Sequence, residues 1–78
     1  MITLKNLRRN NNYIVADFYS EDYPIPGRIS VDIKKQELVC FEEPKNCPYY
    51  TGVQHAVRDL IKLRGIDPLP QERKIIWY

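Results

Sequence analysis

Glycine, cysteine and histidine are scarce in this chain, and each scarcity excludes something. Three glycines in 78 residues leave little material for a phosphate loop, a dinucleotide fingerprint or a nucleophile elbow. Those motifs need glycine at fixed offsets, where the backbone must approach a ligand closely or turn sharply. Two cysteines, Cys40 and Cys47, and one histidine, His55, offer at most three zinc ligands. Six residues lie between the cysteines, whereas structural zinc knuckles place about two to four between theirs. Neither a metal nor any other cofactor is expected. No apolar run approaches the roughly 20 residues of a membrane-spanning helix. The opening Met1-Ile2-Thr3-Leu4-Lys5-Asn6 carries charge and amide where a signal peptide would be apolar. A cytoplasmic protein is therefore expected, and in that reducing setting both thiols should stay unpaired. An excess of one charge is also missing. Twelve basic and ten acidic residues give a net charge of +2, too even to select nucleic acid or a membrane as partner.

What is present belongs to a folded chain. Hydrophobic residues make up 44% of the sequence and aromatics 12%, more than a disordered segment carries. The length allows one domain, residues 1–78, with a thin core.

The first half alternates with the period of strands. Tyr13 to Tyr19 puts Ile14, Ala16 and Phe18 on one side and Tyr13, Val15, Asp17 and Tyr19 on the other. Arg28 to Lys34 alternates more cleanly, with Ile29, Val31 and Ile33 between polar neighbours, as in an antiparallel strand with one wet face. Ile2 to Arg8 reads as a preceding strand, and Asn10-Asn11-Asn12 supplies the turn after it, because Asn tolerates left-handed backbone. The stretch from Ser20 to Gly27 holds two prolines and a glycine and reads as a loop. Leu38 to Glu42 is apolar on both sides, which suggests a central strand or one with both faces partly covered. Lys74 to Tyr78 has the bulky residues of a last strand.

One helix is clearly marked. Thr51-Gly52-Val53-Gln54 fits a capping box. Val53, Ala56, Val57, Leu60, Ile61 and Leu63 recur as one apolar stripe, with Gln54, His55, Arg58, Asp59 and Lys62 opposite. Gly65 stands where a left-handed cap would end the helix. The expected fold is α+β: an antiparallel sheet of four to five strands with one helix packed on one face, in the order β-β-β-β-α-β. The helix stripe should rest on Ile14, Ala16, Phe18, Ile29, Val31 and Ile33.

One helix covers only one sheet face, so the other meets water or a partner. Tyr13, Val15, Tyr19 and Arg28 fall on that uncovered face and form the candidate interaction surface, since Tyr and Arg are enriched where proteins bind. The plainer reading is that tyrosine suits strands and tolerates half-exposure. A nucleic-acid contact would instead use Lys5, Arg8 and Arg9 with Arg58 and Lys62 of the helix. Against it, Asp17 and Asp32 share the uncovered face, where phosphates would need positive charge. His55 and Asp59 lie one helical turn apart, a spacing that more often decorates a surface than builds a catalytic site. Cys47 precedes the helix, where a thiol can be activated, and an idle loop thiol is the plainer alternative. Tyr50 could staple the helix start. With no catalytic constellation in view, the expectation is a non-enzymatic protein-interaction or accessory module, open to self-association through the uncovered face, with nucleic-acid binding as the alternative.

The segments Leu4-Lys5-Asn6-Leu7-Arg8-Arg9, His55-Ala56-Val57 and Trp77-Tyr78 resemble a group of small uncharacterised proteins of low-GC Gram-positive bacteria. The resemblance spans the chain and implies a bacterial cytosolic protein. It implies no activity, cofactor or site residue.

Overall fold

A computed structural model describes residues 1–21, 23–47 and 51–76. Four strands run as a meander: β1 (Ile2–Asn10), β2 (Tyr13–Ser20), β3 (Gly27–Asp32) and β4 (Glu37–Glu42). The helix α1 (Val53–Lys62) follows, with a single 3₁₀ turn at Leu63–Gly65, and then β5 (Glu72–Ile75). All neighbouring strands are antiparallel, and the spatial order is β4-β3-β2-β1-β5. The chain thus leaves the sheet at one edge and re-enters at the other, and α1 covers one face on the way. This is the α+β architecture and element order that the alternation and the helix stripe predict.

The core lies between α1 and that face. Ile2 and Leu4 of β1, Ile14, Ala16 and Phe18 of β2, and Ile29 and Val31 of β3 are buried against Ala56, Val57, Leu60 and Leu63. The Phe41 ring of β4 meets Phe18 edge to face at 5.1 Å between centroids, a favoured aromatic geometry. Strand β2 alternates buried and less buried residues along its length, as a strand with one covered face should.

A bulge redirects β1. Lys5 pairs with Asp17 and Arg8 with Val15, so three steps on β1 match two on β2. Asn6 absorbs the extra residue in left-handed backbone, φ 56°, a conformation that asparagine accepts readily. Its amide donates to the Gln71 carbonyl at 3.1 Å. Beyond the bulge the pleat is reversed, so Arg9, opposite the buried Ile14, reaches the helix side. There its guanidinium donates to the carbonyls of Arg64 and Ile66 at 3.2 and 2.9 Å, capping the end of the helical segment.

Several local expectations are corrected. The helix begins after Gly52, which adopts φ 86° as N-cap, and no side chain caps it; Thr51 stands one residue too early for the capping box. Gly65 is not left-handed but belongs to the 3₁₀ turn, and Arg9 supplies the C-terminal partner instead. Strand β3 stops at Asp32, because its carboxylate accepts the amides of Lys34 and Lys35, each at 2.9 Å, and folds the chain into a turn holding Ile33. Strand β4 is an edge strand rather than a central one, with Leu38, Val39 and Cys40 exposed. The last strand occupies residues 72–75, earlier than its sequence suggests. Trp77, Tyr78, Tyr49 and Tyr50 lie outside the described residues.

Candidate interaction surface

The face without the helix is organised by register into rows that cross the sheet. One row is Glu72, Lys5, Asp17, Arg28 and Glu42, on β5, β1, β2, β3 and β4 in turn. Its charges alternate in sign at every step. Opposite charges on directly facing positions attract, so the row suits neighbouring strands in this register. The Lys5 ammonium lies 3.7 Å from a Glu72 oxygen, and an Arg8 nitrogen is 3.7 Å from Asp17. At that length and exposure each pair contributes at most about 1 kcal/mol.

The next row is Arg8, Val15, Ser30 and Cys40, uncharged from β2 to β4. Beyond it Tyr13 faces Asp32, which in turn faces Glu37 of β4. Tyr13 is exposed, Val15 and Ser30 are half-buried, and Cys40 is exposed. Asp32 keeps a negative charge here, 8% exposed and anchored by the two turn amides, and the exposed Glu37 adds a second.

The four residues of the candidate surface are thus divided. Val15 lies in the uncharged stretch with Ser30 and Cys40, Tyr13 stands beside it in the row of Asp32 and Glu37, and Arg28 borders it from the charged row. Tyr19 stands on the far side of that row, opposite Thr3. The Lys5 ammonium lies over its ring, 5.2 Å from the centroid, a cation–π contact within the molecule. The five candidate nucleic-acid residues are dispersed as well. Lys5 and Arg8 lie on the uncovered face beside acids, Arg9 is committed to helix carbonyls, and Arg58 and Lys62 are exposed on α1, across the sheet.

Asp59 takes a partner that spacing alone did not suggest. Arg73 of β5 donates to both its carboxylate oxygens, at 2.9 and 2.7 Å, a bidentate clamp between helix and edge strand. The Arg73 guanidinium is held above its usual pKa, first by the hydrogen bond to Asp59, with burial opposing and the Asp59 charge adding. Asp59 is therefore engaged by Arg73, and His55 is half-buried one turn earlier.

Among the described residues no cavity is found, no three His, Cys, Asp or Glu side chains converge as metal ligands, and no helix is long and apolar enough to cross a membrane. Cys40 and Cys47 form no disulfide. Comparisons with protein-family models, with curated proteins and with solved structures find no match to this chain.

Proposed function

We propose that this chain is a non-enzymatic interaction module that docks a protein partner on its uncovered sheet face, on the uncharged stretch of Val15, Ser30 and Cys40 with Tyr13 beside it. The observation that carries the reading is the register, which gathers these uncharged positions side by side on three strands. Arg28 borders them, and an aromatic with an adjacent Arg is a composition that interfaces favour. A reducing, cytosolic setting belongs to the same proposal, with Cys40 and Cys47 joined by no disulfide.

The charged row favours a different protein over a second copy at this face. Read from either end, the row runs acid, base, acid, base, acid. Two copies packed face to face, strand over strand about a two-fold axis, would set acid on acid and base on base. A partner with its own pattern avoids that repulsion.

A benzoylphenylalanine photo-crosslinker introduced in place of Ser30, and separately of Arg58, tests the reading in the cell of origin. The expected result is a discrete protein adduct from the sheet position, absent from the helix position and lost when Tyr13 and Val15 are changed to Ser. No adduct, or equal adducts from both positions, would mark the face as merely solvated. A gel-shift assay with mixed single- and double-stranded oligonucleotides gives the other contrary outcome. Salt-sensitive binding lost on changing Lys5 and Arg8 to Glu would overturn the protein reading in favour of nucleic acid.

A further inference from the structure

The edge at β5 has a property that the other edge lacks. Ile2, Leu4 and Asn6 of β1 pair with Ile75, Arg73 and Gln71, and the Asn6 amide bonds the Gln71 carbonyl. In an antiparallel ladder, alternate residues turn their backbone groups toward a given neighbour. Arg73 and Ile75 therefore face β1, while the N–H and C=O groups of Glu72, Lys74 and Ile76 point outward from the sheet. The side chains of Glu72 and Lys74 both lie on the uncovered face, opposite Lys5 and Thr3. Glu72 ends the alternating charge row, Lys74 is exposed with no ion pair among the described residues, and Ile76 is 60% exposed. Unpaired strand edges with exposed apolar residues are templates for further pairing.

We propose that β5 pairs antiparallel with β5 of a second copy, joining two sheets into one of ten strands. The charges fix the register. Centring the two-fold axis on Arg73 sets Glu72 of each copy opposite Lys74 of the other, and these are residues whose backbone groups face outward. Each Glu72–Lys74 pair continues the alternating row into the partner's sheet. The same arrangement aligns backbone donors and acceptors at both positions. At the centre Arg73 meets Arg73, but each guanidinium is already clamped by its own Asp59 at 2.7 and 2.9 Å, which offsets the repulsion. Shifting the axis to Lys74 would place ammonium directly against ammonium, so the Arg73-centred register is selected. With one short strand from each copy, the dimer is weak and depends on concentration. This edge is separate from the Val15–Ser30–Cys40 stretch of the face, so either proposal can fail without the other.

Sedimentation of the full chain over a range of concentrations tests the pairing. The parent should show a monomer–dimer equilibrium. Glu72→Lys sets base against base, and Lys74→Glu sets acid against acid. Each should weaken dimerisation about tenfold, allowing up to about 1 kcal/mol for each of the two cross-strand pairs. Mixing the two single variants should restore association as a heterodimer, because every facing pair is then of opposite sign. The double variant, with both charges swapped, should dimerise like the parent. Both positions are exposed, and unchanged melting curves would show that the variants remain folded. Tyr13→Ser should leave the equilibrium unaltered. A parent that stays monomeric at the highest attainable concentration overturns the proposal. So does a dimer indifferent to both charge reversals, or a mixture of the single variants that fails to associate.

Discussion

Leu60→Ala tests where the helix stripe sits, and the structure supplies its control. Leu60 is fully buried on α1 against the sheet, while Leu38 on the edge strand β4 is 37% exposed. The chemical change is the same at both sites and only the surroundings differ. At Leu60 the variant loses the transfer energy of the removed carbons and leaves a cavity, together about 3 kcal/mol. At Leu38 solvent already reaches the side chain, and the loss should stay below about 1 kcal/mol. For a domain of 78 residues, with a total stability of about 4–12 kcal/mol, the first is a large fraction. At about 4–8 °C per kcal/mol for this size, Leu60→Ala should lower the melting temperature by about 12–24 °C. Thermal and urea unfolding by circular dichroism would measure both variants. Equal losses, or a Leu60→Ala protein melting within a few degrees of the parent, would refute the placement of α1 over the sheet.

Asp59→Ala, Arg73→Ala and the double variant should give a coupling energy of about 1 kcal/mol, the bidentate pair being discounted because the Arg73 side chain is 41% exposed. A guanidinium pKa raised in the folded state contributes stability below its unfolded value and loses it only as pH rises through the folded value. The coupling should therefore be the same at neutral and mildly alkaline pH, and a decline there would contradict the assigned pair. Arg9→Ala should cost about 1 kcal/mol by leaving the Arg64 and Ile66 carbonyls without their donor, and faster hydrogen exchange across 63–66 would report it. Gly27→Ala should cost about 2 kcal/mol or more, since a Cβ there would collide with the Glu42 carbonyl and stand 2.9 Å from the Pro44 nitrogen. Gly65→Ala, where a Cβ meets nothing within 4 Å, should be neutral or gain about 0.5 kcal/mol. Adding a reductant should leave the melting temperature unchanged, because Cys40 and Cys47 form no disulfide, and a large drop would contradict that.

Period-two alternation made β2 and β3 legible, because one face of each is covered and the other is wet. The stripe from Val53 to Leu63 was legible for the corresponding reason on a helix. Strand β4 was misread through a real signal. Ser30 pairs with Cys40 but Val31 pairs with Leu38, so Val39 is an extra residue at a bulge, and the bulge breaks alternation. Apolar residues on both apparent sides then mark a shifted pleat rather than burial on two faces. The same lesson was available in β1, where Leu4 and Leu7 stand three apart across Asn6. The Arg73–Asp59 clamp and the Arg9 cap were not legible, since both need the strand order and the β1 bulge to bring distant residues together. The four candidate surface residues lie on one face by register, but their division by a charged row follows from cross-strand register, which one strand's sequence does not specify.

If β5 pairs with β5 as proposed, the two edges of the sheet differ in a way that would limit association to two copies. An edge that accepts any copy of itself builds an open fibre, whereas a two-fold contact closes. At β5, Glu72 and Lys74 stand two residues apart with opposite signs on the same face, so the strand is complementary to its own reversal. Strand β4 carries Glu37 and Glu42 near its two ends, and reversing it brings acid toward acid at both ends. Joining β4 of one copy to β5 of the next with the charged rows aligned is no better, because Glu42 would then meet Glu72. The bulge at Val39 further disrupts the pleat that an incoming strand would have to match. Val39 is 51% exposed, an apolar residue that would invite aggregation on a flat strand flanked by neutral residues. Charge and bulge together let such a residue sit on one edge, while the other edge carries the charge pattern that the proposed two-fold pairing would close.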